Sequence, residues 1–150
     1  GRLCTCGRKG CWEQYASATG LIRRTEEEME AFPRSLLHTV AKENGAVDGR
    51  TAFQAAERGD PAAIRLCREY AEELGCGLVN LINLLHPERV AIGGGVAAAP
   101  ESLLLQPLRE IVTRESYARH GGVIPAVVRA QMGNDAGIVG AALLDRAVRE

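Results

Sequence analysis

Aromatic side chains are scarce in this sequence, with one Trp, three Tyr and two Phe making up 4% of 150 residues. That scarcity excludes an aromatic-rich binding surface and implies a core of Leu, Ile, Val and Ala packed closely by small residues. Excess charge is missing too: 18 Lys and Arg face 19 Asp and Glu, a net charge of -1. No global field attracts a polyanion, so charge does not favour nucleic acid. No apolar run approaches the roughly 18 residues that span a bilayer, and no charged segment followed by an apolar stretch opens the chain. The expectation is a soluble, cytoplasmic protein with no membrane partner. An initiator Met is also lacking: the chain begins Gly1-Arg2-Leu3-Cys4 and reaches its most distinctive motif at the fourth residue. It reads as a piece cut from a longer protein. What is present is ordinary for one globular domain, 46% hydrophobic and 25% charged residues, together with 17 Gly.

Three of the five cysteines, Cys4, Cys6 and Cys11, form C-x-C-x4-C with Gly7 and Gly10 between them. Such short loops suit a shared metal better than disulfides, because neighbouring thiolates converge on one ion while the glycines permit the tight turns. Zinc is the natural candidate, against the alternative of free or redox-active thiols. A closed zinc site has four ligands and this segment supplies three. His38, His86 and His120 are the in-chain candidates for the fourth. Each also has a plain structural reading: His38 in a helical stretch, His86 just before Pro87, and His120 beside a helix end, where a cation is favoured. Cys67 and Cys76 fall in a long helical run and read as buried, inert thiols.

After Cys11, the spacing of Trp12, Tyr15, Ala16 and Ile22 predicts one helix, with Glu13 in its first turn, where a carboxylate complements the helix dipole. The charged stretch from Arg23 to Glu30 leads to Pro33. A short helix over 35–44 is stopped by Gly45, and Asp48-Gly49 reads as a turn, so a solvated excursion is expected here. Asp60-Pro61 is a strong helix start. From it an apolar stripe of Ile64, Cys67, Ala71, Leu74, Leu78, Leu81, Ile82 and Leu85 runs to Pro87, and its mostly apolar second half should be buried. Gly75 and Gly77 weaken that helix by about 1 kcal/mol each relative to Ala, which implies that close backbone packing offsets the loss.

Two strand, glycine-loop, helix units follow. The first is Arg89 to Ile92, then Gly93-Gly94-Gly95, then a helix over 100–117 with Leu104, Leu108, Ile111 and Val112 on one face, kinked or divided by Pro107. The second is Pro125 to Ala130, then Gly133-Asn134-Asp135, then a helix from Ala136 to about Arg149. Alternation of this type predicts parallel strands covered by helices. Two strands make little sheet for so many helices, which again points to missing strands. Either glycine loop, placed between a strand and a helix, can expose N-H groups to a phosphate. Neither has the spacing of a dinucleotide fingerprint or the Lys-Ser/Thr of a P-loop, and a tight structural turn explains them equally well. Asn134 and Asp135 read as caps, and Gly137 and Gly140 as helix-packing residues.

Taken together, Cys4-Thr-Cys6-Gly7-Arg-Lys-Gly10-Cys11-Trp-Glu13-Gln-Tyr-Ala-Ser17 resembles the C-x-C-G-x-x-G-C-x-E-x-x-x-S zinc signature of the ROK family of bacterial sugar kinases and sugar-responsive repressors. Asn83-Leu-Leu-His86-Pro87, Ile92-Gly93-Gly94-Gly95-Val96 and Met132-Gly-Asn-Asp-Ala-Gly137-Ile-Val-Gly140 agree with that family in order and spacing, and the nearest likeness is to its glucokinase-like members. The resemblance implies an α/β chain that is the C-terminal part of an actin-like, ribonuclease H-like ATPase fold, helix-rich with few strands. It divides the chain into a zinc loop and sugar-site helix over 1–30, a helical excursion over 31–59, and an α/β lobe with nucleotide-side glycine loops over 60–150.

By the same resemblance, Cys4, Cys6 and Cys11 would hold structural zinc, with a His upstream of the chain as fourth ligand. Glu13 would hydrogen-bond sugar hydroxyls, and Gly94 and Gly95 would line the site of ATP and its Mg2+. The implied activity is transfer of phosphate from ATP to a hexose, glucose before an N-acylhexosamine or fructose, in a dimer or tetramer. The general-base Asp and the N-terminal phosphate loop of the family are absent from these 150 residues, so the isolated chain is expected to be inactive. The alternative is a sugar-responsive repressor, the one reading that would bring nucleic acid in as a partner.

Overall fold

The computed structural model describes residues 1–147. In chain order they form α1 (Glu13–Ala16), α2 (Ala18–Ala31), α3 (Leu36–Asn44), α4 (Thr51–Glu57), α5 (Pro61–Leu85), β1 (Arg89–Ile92), α6 (Leu105–Glu115), β2 (Ala126–Arg129) and α7 (Ala136–Ala147). Single 3-10 turns at Gly95–Ala98, Glu101–Leu103, Tyr117–His120 and Gly133–Asp135 lie between them. The expected helix end near Arg149 and the capping side chain of Asn134 lie outside the described residues.

Helix α5 is the spine, and it begins as its sequence predicts. Asp60 accepts the Ala63 N-H at 2.8 Å, and Pro61 occupies the first turn, where a missing N-H leaves nothing unpaired. The same carboxylate accepts the Leu36 N-H at 2.7 Å and the Ser35 hydroxyl at 3.0 Å, so one buried acid starts α5 and fastens α3 to it. Ala63, Leu66, Cys67, Tyr70, Leu78 and Ile82 are its buried face, against which α1, α2, α4 and α6 pack. Gly75 is needed for that packing. A Cβ there would lie 2.8 Å from the Ile111 side chain on α6.

The segment over 31–59 is not the solvated excursion that its charge suggested. Leu37, Val40, Ala52 and Ala55 are fully buried, and Phe53 meets Tyr70 edge to face with ring centroids 6.4 Å apart. Helix α4, which the residue pattern did not reveal, follows a turn at Asp48, whose carboxylate accepts the Arg50 and Thr51 N-H groups at 2.9 and 3.1 Å. The helix expected from Trp12 to Ile22 is two helices. Ser17 is extended and its hydroxyl accepts the Gly20 N-H at 3.0 Å, so a good N-cap ends α1 after one turn and starts α2. Arg24 of α2 is buried between two carboxylates of α5, Glu73 at 2.5 Å and Glu69 at 2.6 Å.

Strands β1 and β2 are parallel, in register from Arg89 with Ala126 to Ile92 with Arg129. Exposure alternates along β1, and α6 packs against β2, so helices cover one face of the pair. Pro107 neither kinks nor divides α6. It sits in the first turn, and the break comes earlier, at the buried Leu104 (φ -132°, ψ -68°). Three further expectations fail on exposure. Leu81, Leu84 and Leu85 are 43%, 76% and 67% exposed, Cys76 is exposed rather than buried, and no atom lies within 4 Å of where a Cβ would stand on Gly137 or Gly140. Among the described residues nothing covers those surfaces.

Burial opposes ionisation of Asp60, but the Ala63 and Leu36 N-H groups and the Ser35 hydroxyl outweigh it and hold the carboxyl below its ordinary pKa. A depressed acid contributes stability above its unfolded pKa, and that contribution is lost as pH falls through the folded value. Asp60→Ala is therefore expected to lower stability by about 2 kcal/mol at neutral pH. In urea denaturation, the gap to the unaltered protein should shrink as pH is brought below about 4.

Candidate functional site

The first eleven residues fold back on themselves. Leu3 bridges Lys9, the Cys4 N-H donates to Arg8 O at 2.8 Å, and the Gly10 N-H donates to Arg2 O at 2.9 Å. Gly7 and Gly10 turn the chain at φ +83° and +79°, a region that side chains rarely adopt. The loop gathers the Cys4, Cys6 and Cys11 sulfurs within 4.8 Å of one another. Thiolates about 2.3 Å from a tetrahedral ion stand about 3.8 Å apart, and Cys6 and Cys11 are 3.6 Å apart. The donor set fits a soft divalent cation.

Electrostatics point the same way. The Cys6 backbone N-H draws the Cys4 thiol below its ordinary pKa, whereas Cys11, beside the Cys6 and Cys4 sulfurs, is pushed up to about 11. Three converging thiols resist ionising together unless a cation joins them. None of the candidate histidines belongs to the cluster. His38 Nε2 lies 3.0 Å from Met29 O, His86 ends α5 in a left-handed conformation, and His120 accepts from Arg119 at 3.0 Å. Burial pushes Cys67 up to about 12, as expected of an inert thiol.

The loop runs straight into α1, which carries Glu13. Its carboxylate is exposed, and Oε2 accepts from Gln14 Nε2 at 2.6 Å and from the Cys4 thiol at 3.7 Å. Flanking residues fasten this turn to the body. Trp12 donates its indole N-H to Glu73 O at 2.8 Å, and its ring fills the space over Gly77, where a Cβ would lie 2.1 Å away. Arg2 forks onto Glu27 with two 2.6 Å bonds and donates its backbone N-H to the Tyr15 hydroxyl at 2.8 Å. Between this turn and α5 lies an open pocket of about 500 Å³ lined by Trp12, Tyr15, Glu73, Cys76, Asn80 and Leu81. Burial raises the Glu73 carboxyl above its ordinary pKa against the pull of Arg24.

The glycine loops form a second region. Gly94 sits at φ +77°, and nothing lies within 4 Å of a Cβ position on Gly94 or Gly95, so both face open space. Gly95 lines a pocket of about 490 Å³ with Arg50, Phe53, Gln54, Pro100 and Arg129. The Gly133–Asp135 turn packs against the Gly95–Ala98 turn, which brings both sequence-predicted glycine loops together. Arg50 and Gln54 of this pocket escaped the sequence reading because the helix that carries them was not foreseen. Gln14 escaped because its contacts depend on the break at Ser17.

The ROK family model matches residues 1–148. A glucokinase from Streptomyces coelicolor is 37% identical over 97% of this chain and 47% of its own length. A xylose repressor from Caldicellulosiruptor bescii is 32% identical over 77% of this chain and 28% of its own. The crystal structure of a ROK family glucokinase from Streptomyces griseus, in complex with glucose and AMPPNP, superposes with a TM-score of 0.78. It is 39% identical, over 98% of this chain and 48% of that one. The chain spans about half the length of the glucokinases it matches. With a parallel strand pair, glycine turns and helix-rich packing that match a ROK kinase of the actin-like ATPase fold, this chain belongs to the ROK family.

Proposed function

We propose that the full-length protein carrying this chain transfers the γ-phosphoryl group of ATP to a hexose, converting glucose to glucose 6-phosphate. The observation that carries the reading is the placement of an exposed Glu13 carboxylate by a three-cysteine loop, in a chain 37% identical to a glucokinase over nearly its whole length. Cys4, Cys6 and Cys11 hold zinc, and a further residue outside the cluster completes the site. Zinc supplies a cross-link here, not an acid or a nucleophile. An ionised carboxylate only accepts, so Glu13 takes sugar O-H donors and orients the ring without covalent chemistry. Gly94 and Gly95 let the nucleotide approach the backbone closely, and the pocket beside Gly95 is large enough for a nucleoside. Mg2+ bound with ATP beside Gly94 and Gly95 would supply charge neutralisation for the transferring group, and the base that takes the sugar proton belongs to another part of the protein.

No helix among the described residues is long and apolar enough to cross a membrane. The reading places the activity in the cytoplasm at the head of glycolysis, in a dimer or tetramer. The similarity to a xylose repressor favours one second reading, in which the same residues sense a sugar without transferring phosphate. An assay with ATP, Mg2+ and glucose, an N-acylhexosamine or fructose separates the two. Turnover supports the kinase; sugar binding with no turnover on any hexose overturns it.

Glu13→Ala is expected to raise KM for glucose between about ten- and a hundredfold with KM for ATP unchanged. Gly94→Val, strained at φ +77°, should do the opposite, raising KM for ATP and leaving glucose alone. Metal binding expels thiol protons, so acid that restores them releases the ion. Zinc measured after dialysis should therefore fall from near one per chain at about pH 8 toward none at about pH 5, and Cys11→Ser should lose it at both.

A further inference from the structure

A carboxylate at the end of a flexible side chain on a one-turn helix samples several rotamers unless a neighbour holds it. Glu13 has such a neighbour. Gln14 Nε2 donates to Glu13 Oε2 at 2.6 Å, and Gln14 itself is only 8% exposed. Arg23 grips it twice, with Nη1 on Gln14 Oε1 at 2.7 Å and Nη2 on the Gln14 backbone oxygen at 2.5 Å. A guanidinium has donors and no acceptor, so the amide oxygen must face Arg23 and the amide N-H groups must face Glu13. Arg23 thus fixes which end of Gln14 the carboxylate meets. Its Nε also lies 4.0 Å from Glu27, the residue on which Arg2 forks, so the chain of contacts returns to the cysteine loop.

The other contact of Oε2, the Cys4 thiol at 3.7 Å, is far longer than the 2.6 Å bond from Gln14, so the amide is the donor that holds that oxygen. Oε1 accepts a hydrogen bond from none of the described residues. We infer that Gln14, locked by Arg23, is a positioning residue that occupies Glu13 Oε2 and turns Oε1 toward the sugar hydroxyls. The inference rests on the sugar-contact reading of Glu13. It assigns a task to two residues that touch neither metal nor sugar.

The test uses the full-length protein, with glucose affinity measured by calorimetry and zinc content measured alongside. Gln14→Met keeps the length of the side chain and removes its hydrogen bonds. It should weaken glucose binding about tenfold, with KM for ATP and bound zinc unchanged. Placed on Glu13→Ala, the same substitution should add nothing, because there is no carboxylate left to position. A purely structural role would weaken binding equally in both backgrounds, and that outcome overturns the proposal, as does wild-type affinity in Gln14→Met. Should Gln14→Met fail to fold, Arg23→Lys carries the test: it retains a cation but loses the fork. A smaller loss that vanishes on Glu13→Ala supports positioning, and no loss overturns it. Wild-type affinity in Glu13→Ala alone overturns the sugar-contact reading, and positioning with it.

Discussion

A tryptophan seated where α5 has no side chain sets the geometry of the whole N-terminal site. Trp12 lies against Gly77 with its indole N-H on the Glu73 carbonyl, and any Cβ on Gly77 would occupy the ring. One residue before it is Cys11 and one after it is Glu13, so the same contact anchors the cysteine loop and the exposed Glu13 carboxylate to the spine of the fold. Arg24, buried between Glu69 and Glu73, fixes α2 to the same stretch of α5. A glycine that weakens the helix intrinsically is thus what lets the helix carry a site.

The cysteine loop is held by protein contacts, to which a bound ion would add a restraint of a different strength. Backbone hydrogen bonds and the Arg2 fork bring the three sulfurs together from the protein side. Exposed ion pairs of this sort contribute up to about 1 kcal/mol each, whereas a structural zinc contributes on the order of 10 kcal/mol or more. The protein contacts therefore prearrange the three sulfurs, and an ion held among them would add the greater rigidity to the turn that carries Glu13.

What the sequence made legible is what short-range chemistry decides. The cysteine spacing, the Asp60-Pro61 start and both strand-loop-helix units depend on neighbours a few residues away, and the structure contains them; Gly75 and Gly77 betray close packing by their cost to the helix, although their partners, Ile111 and Trp12, lie far along the chain. Apart from the local cap at Ser17, what it hid depends on distant partners. Ser17 divides one predicted helix because its hydroxyl prefers the Gly20 N-H, and Gln14 meets Arg23 only because of that division. The charged segment after Ile22 read as solvated, since nothing local shows that Arg24 will find two acids on a helix more than forty residues later. Exposure of Leu84, Leu85 and Cys76 is likewise a matter of what packs on α5 and not of their own apolar character.

The parallel register of β1 and β2 sets an order on assembly. It pairs Arg89 with Ala126 across the intervening helix α6, and such crossovers close a long loop before any strand contact forms. The contacts of α3 and α4 with the start of α5 join segments much closer in the chain, and contacts of that kind form fast. The layer of α3, α4 and the start of α5 can therefore be in place while the glycine turns are still unformed, because Gly93 to Gly95 take their position from the end of β1. During synthesis the layer of α3, α4 and α5 would then fold before β2 pairs with β1 and fixes the glycine turns.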